Sequence, residues 1–178
     1  MGYAEAIETI HAPIGLVWDT FNDIEHTSQW VVGLKHAELI TSEPYGVGSS
    51  YDDYNELGGS IQVTNWHVTE FEHHTRQVHV SDSITLPSKM TIVFAPRAEG
   101  TRMKMSVEYR FLPRLGGISH AFELLVMNIV LSSVLRRNLK GLNAYVGVKP
   151  ERYRNVVIGH NKQVIAKVLA TGEIARFQ

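Results

Sequence analysis

The sequence predicts an α+β fold: a seven-stranded antiparallel sheet wrapped around a long C-terminal helix, with two short helices after the first strand. Three observations predict it. After Pro13, residues Ile14, Val17, Trp18 and Phe21 recur at i, i+3, i+4 and i+7, one apolar stripe of a short helix. From Lys35 to Phe111 come six short runs rich in Val, Ile, Thr and aromatics, broken by "EPYGVG", "GG", "HH", "TLPS" and "RAEG". Last, "ISHAFELLVMNIVLSSVLRRNLKGLNAYVG" reads as one long helix, with Ser119 a candidate N-cap and Gly147 its terminator.

Taken in order, residues 3–11 form the first strand, and Pro13 suits the first helical turn, where a missing N–H costs nothing. Asn22 and Asp23 end that helix or cap a second short one, "IEHTSQWVVG", closing at Gly33. The six further strands fall at roughly 35–42, 49–57, 60–72, 75–84, 89–96 and 101–112. Their short connections predict antiparallel hairpins in a meander, and Gly58-Gly59 suits a two-residue turn because glycine tolerates positive φ. In the last strand Met103, Met105, Val107, Tyr109 and Phe111 share a dry face, opposite Lys104, Ser106, Glu108 and Arg110. The long helix is apolar on nearly every side from Ala121 to Leu135, a run shorter than the roughly 20 residues of a bilayer span and followed at once by Arg136, Arg137 and Lys140. A helix buried on more than one face, not a transmembrane segment, is expected.

Two regions follow: a domain over 1–147 and a C-terminal extension over 148–178. The extension carries six Lys or Arg against Glu151 and Glu173, and its "KQVIAKVLA" suits a short amphipathic helix that covers the long helix or contacts a second subunit, as in a homodimer.

Composition narrows the function. A chain of 178 residues with 44% hydrophobic and 20% charged residues and a formal charge of -1 is globular and lacks the positive balance of nucleic-acid binders. The absence of cysteine excludes disulfides, thiolate metal ligands and a cysteine nucleophile. "MGYAEAIETIHAP" has neither a basic nor an apolar leader region, so a cytoplasmic location is expected, and Ala6 spoils a myristoylation match. Nucleophile-elbow, phosphate-loop and dinucleotide fingerprints are absent.

The opening "IETIHAPIGLVWDTFNDIEHTSQWV" resembles that of the SRPBCC superfamily, which groups START domains, Bet v 1-like proteins and polyketide cyclases/dehydrases. The shared features are a strand, Ala12-Pro13, the Val17-Trp18 pair in the first helix, an Asp after it and Trp30 in the second. The resemblance implies the helix-grip fold, a curved sheet gripping the long helix, with a cavity between them for a hydrophobic or aromatic small molecule. Members include lipid and hormone carriers, co-chaperone domains and cyclases, among which the fold does not choose.

The residues offer several candidate site groups. His67 and His79 lie on strands joined by the His73-His74 turn; they are cross-strand partners if residue numbers pair to a sum of 146, and face opposite sides if the sum is 147. Two histidines without a third ligand make no metal site, and none is expected. Tyr51, Asp53 and Asn55 alternate on one strand face, and a tyrosine with a carboxylate facing an apolar cavity would make an enolisation pair. The nearby Gly58-Gly59 turn argues instead for a wet sheet end. Tyr109 and Asn128 would each need a hydrogen-bond partner if buried, supplied by a ligand or by a neighbour. Methionines and Phe122 give an adaptable lining. The candidate ligand-binding set is therefore Tyr51, Trp66, His67, His79, Met90, Met105, Tyr109, Phe122 and Asn128, with no catalytic residue assigned and no cofactor required. The expected function is binding of a hydrophobic or aromatic small molecule, as a carrier or as a cofactor-independent polyketide cyclase/dehydrase-like enzyme. The alternative is a non-catalytic interaction module, marked by an apolar patch on Leu124, Leu131 and Leu135.

Overall fold

The computed structural model describes residues 1–42, 44–57, 59–83, 86–110 and 117–148, with the backbone alone at 57, 117–124 and 148. Contacts divide the chain into Met1–Val146 and Gly147–Gln178. The first unit is described below; of the second, Gly147 and Val148 continue the last helix, and the basic tail lies outside the described residues.

Seven strands form one antiparallel sheet: β1 (Gly2–Ile10), β2 (Leu34–Leu39), β3 (Ser50–Leu57), β4 (Ser60–Glu72), β5 (Arg76–Ser81), β6 (Ser88–Arg97) and β7 (Gly100–Tyr109). Their order is β1-β7-β6-β5-β4-β3-β2, so the predicted meander holds from β2 to β7 and the first strand closes against the last. The dry face of β7 is as predicted: Met103, Met105, Val107 and Tyr109 are buried. Phe111 lies outside the described residues.

Helix α1 (Ile14–Asn22) begins where Pro13 (φ -59°) hands over from the strand, and its first turn is closed by Val17 N–H donating to the Pro13 carbonyl at 3.1 Å. The apolar stripe is buried at Val17, Trp18 and Phe21. The Trp18 ring meets Phe71 and Phe94 edge-on at 5.0 and 5.1 Å, the favoured aromatic geometry, which fastens α1 to the sheet. The second short helix is a 3-10 segment, Ile24–Gln29, rather than a helix running on toward Gly33. Thr27 donates its hydroxyl to the Ile24 carbonyl at 2.7 Å, the three-residue back-bond that suits the tighter helix. The His73-His74 pair forms the expected turn, yet both rings pack on Trp18, at 5.4 and 5.6 Å.

Helix α2 (Gly117–Val148) lies across the sheet and joins its core through Leu135, Leu139, Leu142 and Val146, spaced at i, i+4, i+7 and i+11. Leu139, Leu142 and Val146 are fully buried, and each contributes roughly 1.5–3 kcal/mol. On a neighbouring face a helix residue touches backbone: a Cβ at Gly141 would collide with the Trp30 carbonyl oxygen. Gly141 therefore sets how closely α2 approaches the end of the 3-10 segment. Gly141→Ala is expected to lower stability by about 1–3 kcal/mol through this clash, read as a fall in urea midpoint at unchanged m-value.

Candidate functional site

Between the sheet, the 3-10 segment and α2 lies a cavity of about 270 Å³. Its walls are mostly apolar: Phe21 and Trp30 at the helical end, Met90, Met105 and Val107 on the sheet, and Leu131, Val134 and Leu135 from α2. Polar groups gather on β3 and its neighbours, where Tyr51, Asp53 and Asn55 all face inward with Thr64 and Trp66 of β4 and His79 of β5.

Strand pairing explains this selection. Tyr51 pairs with Trp66 and Asp53 with Thr64, so the alternation of β3 and β4 turns all four to the cavity. Between β4 and β5, Val68 pairs with His79 and His67 with Val80, the pairing that sums to 147. The two histidines therefore face opposite sides. His79 is 1% exposed and lines the cavity; His67 is exposed on the outer face and is no lining group.

His79 sits in a chain of directed hydrogen bonds. The Asn22 amide donates to the Trp18 carbonyl (3.0 Å), and the Gln77 amide donates to Asn22 Oδ1 (2.9 Å). Gln77 thus presents its oxygen to His79 Nε2 (3.0 Å), which must carry the ring proton. Nδ1 is then the acceptor, and the Tyr51 hydroxyl donates to it at 2.8 Å. Burial depresses the His79 pKa to about 4, so the imidazole is neutral near pH 7. The Tyr51 phenol is pushed well above its ordinary value, first by burial and then by the charge of Asp53.

Asp53 behaves oppositely. Loss of water around the carboxyl raises its pKa to about 7, with a smaller push from Asp52 and an opposing hydrogen bond from the Trp66 side chain. One wall thus carries a neutral tyrosine–histidine pair and a carboxyl near its midpoint at neutral pH. The Trp30 indole nitrogen is fully buried and has no hydrogen-bond partner among the described residues. No group of three or more His, Asp or Glu able to hold a metal occurs among the described residues.

Of the sequence-based candidates, Tyr51, Trp66, His79, Met90 and Met105 meet at this cavity. Tyr109 and Asn128 do not line it: the Tyr109 hydroxyl donates to Asn128 Oδ1 at 2.6 Å, and the Tyr3 N–H reaches the same oxygen at 3.2 Å. The Tyr109 hydroxyl and the Asn128 side-chain oxygen thus each have a partner within the protein. The Phe122 side chain lies outside the described residues. Asp53 and Asn55 proved to be wall rather than wet sheet end, and Trp30 lines the cavity besides filling the helix–sheet junction. Asn138 is a missed lining group. Its signal was present, since it falls seven residues after Leu131 and three after Leu135, on the same helical stripe.

A family model described as polyketide cyclase / dehydrase and lipid transport matches residues 4–147. No curated protein matches the chain. Among solved structures, a protein from Thermus thermophilus is similar at 20% identity and TM-score 0.68, over 83% of this chain and 99% of that one. A START superfamily protein from Mycobacterium smegmatis is similar at 13% identity and TM-score 0.68, over 83% and 98%. An AHSA1-like protein from Aeromonas hydrophila is similar at 16% identity and TM-score 0.57, over 82% and 92%. At these identities the likeness is one of fold.

Proposed function

The chain belongs to the polyketide cyclase/dehydrase and lipid transport family, and from that membership we propose that it encloses a compact hydrophobic or aromatic small molecule bearing an oxygen function. The observation that carries this is the cavity itself, about 270 Å³ with apolar walls and polar groups concentrated on one side. Binding sites of this kind hold a ligand by its apolar body and orient it by a few polar contacts. The volume lies at the small end of ligand sites and suits a fused-ring body better than a long acyl chain. Both a carrier and a cyclase/dehydrase-like enzyme would use such a container.

The test uses 1-anilinonaphthalene-8-sulfonate as a fluorescent probe, with native mass spectrometry of the purified protein for any compound retained from the cell. Val134→Trp fills the cavity from the α2 side and is expected to weaken probe binding at least tenfold, about 1.4 kcal/mol. Equal affinity in a folded variant would place the probe elsewhere and defeat the proposal.

One observation favours the interaction module as a second reading. Leu125 and Ile129 of α2 are 57% and 62% exposed, with Val126 and Val130 beside them. Against it, Leu135 is buried in the core and Leu131 lines the cavity, while the Leu124 side chain lies outside the described residues. The exposed face is therefore not the one named from the sequence. No helix among the described residues is long and apolar enough to cross a membrane.

A further inference from the structure

α2 borders a second hollow, of about 400 Å³, on the side turned away from the cavity. Among the described residues it is lined by Asn128, Ile129, Ser132, Ser133 and Arg136. Their spacing of i, i+1, i+4, i+5 and i+8 puts them on one face of the helix over about 12 Å. Leu131 and Val134, which line the cavity, fall on the other side.

The polar groups of this set are donors. The Tyr3 backbone N–H can only donate, so the Asn128 atom that meets it is the oxygen, which also accepts from the Tyr109 hydroxyl. What Asn128 has left for the hollow is its amide nitrogen, with two N–H groups and no acceptor among the described residues. Ser132 and Ser133 add two hydroxyls. Arg136, one turn further on, is exposed and forms no ion pair among the described residues. From Leu125 to Gly147 the helix carries Arg136, Arg137 and Lys140, all exposed, and no Asp or Glu. Arg136 and Lys140 stand four residues apart, a like-charged pair whose repulsion a bound anion would relieve. The other border of the hollow is apolar: Ile129 lines it, and Leu125, Val126 and Val130 are exposed alongside.

We propose that this face of α2 binds an amphiphilic phosphate, its oxygens held by the Asn128 amide, the Ser132 and Ser133 hydroxyls and the Arg136 guanidinium, and its apolar chain laid along Ile129 toward Leu125. A guanidinium fork with neutral donors beside it matches the several acceptor oxygens of a phosphate. Inorganic phosphate would use these donors and leave the four apolar side chains in water, whereas a chain on the phosphate covers them. The site stands apart from the cavity and does not depend on what the cavity holds. An amphiphile free in solution and a phospholipid in a bilayer present this same chemistry.

The experiment titrates n-decyl phosphate, below the concentration at which it forms micelles, into the full chain by isothermal calorimetry. Arg136→Gln is expected to weaken binding about tenfold or more, through loss of one charge-assisted contact. Asn128→Asp keeps the oxygen that Tyr3 and Tyr109 use and puts a negative oxygen in place of the donor, so it should weaken binding at least as much. Val134→Trp, which fills the cavity, should leave the affinity within about twofold of wild type. Inorganic phosphate should bind about tenfold more weakly than decyl phosphate, for want of the chain. If Arg136→Gln binds decyl phosphate as tightly as wild type, or if Val134→Trp alone abolishes binding, the site on α2 is overturned. If inorganic phosphate binds as tightly as decyl phosphate, the amphiphile is overturned as the ligand class. Sedimentation with phosphatidylcholine vesicles, with and without phosphatidic acid, separates the two sources. Arg136-dependent sedimentation with the acidic vesicles supports a bilayer headgroup, and decyl phosphate binding without sedimentation supports a free amphiphile. If neither decyl phosphate nor the acidic vesicles bind, the proposal falls.

Discussion

Asp53→Asn is expected to make the protein more stable at about pH 8.5, by about 2–4 kcal/mol, and to leave stability nearly unchanged below about pH 4. Its carboxyl titrates near 3.8 in a solvated chain and near 7 in the folded one, chiefly because the cavity wall strips water from it. Between these values the folded chain holds a proton that the unfolded chain has released. Raising the pH through this window therefore destabilises the fold, and above about 7 the whole penalty is present. Asparagine has the same shape, still accepts from Trp66, and carries no charge to desolvate. Urea unfolding at both pH values checks this, and equal stability of the two proteins at the higher pH would show that the wild-type carboxylate is well solvated. A residue that lowers stability where it stands is a mark of function.

His79→Leu is expected to destabilise the protein by about 2–4 kcal/mol at neutral pH, because it strands the Tyr51 hydroxyl and the Gln77 carbonyl in a buried place. His79→Gln, which keeps an acceptor and a donor, should lose much less. The glutamine variant also reports titration. His79 has its pKa lowered from 6.5 to about 4, so the unfolded chain takes up a proton first as pH falls. Its contribution is present above 6.5 and is lost on the way down to about 4. Asp53 has the opposite slope over nearly the same range, so the wild-type profile should be flat between about pH 4.5 and 6. His79→Gln should then lose stability as pH rises there, and Asp53→Asn should gain it, each by about 1 kcal/mol per pH unit. Parallel profiles for all three proteins in urea would rule out this opposition.

How far the sequence led depends on what each feature encodes. The apolar stripe of α1 and the alternation of β7 are local patterns with a fixed period, and they led to the observed elements. The alternation of Tyr51, Asp53 and Asn55 showed that the three share a face but not which face, because that is decided by what packs on the sheet. The positions of His67 and His79 turned on one residue of register. Each strand alone permits either pairing; next to the turn 73–75 residue numbers pair to a sum of 148, and an irregularity between Val68 and Glu70 shifts the sum to 147 at His67 and His79. Tyr109 and Asn128 lie nineteen residues apart, and nothing in either segment signals that one would answer the other. The second short helix proved to be a 3-10 segment, within which the Thr27 hydroxyl donates to the Ile24 carbonyl.

The closure of β1 on β7 has a kinetic meaning. β1 is an edge strand, and β7 is its one neighbour in the described sheet, with Gly2 paired to Tyr109 and Ile10 to Thr101. During synthesis β1 leaves the ribosome first and waits for about a hundred further residues before its partner exists. The hairpins from β2 to β7 can zip in succession meanwhile, each closing a short loop, whereas the last contact closes the longest one. The β1–β7 pairing, which completes the sheet, is thus the one with the longest loop to close and the slowest to nucleate.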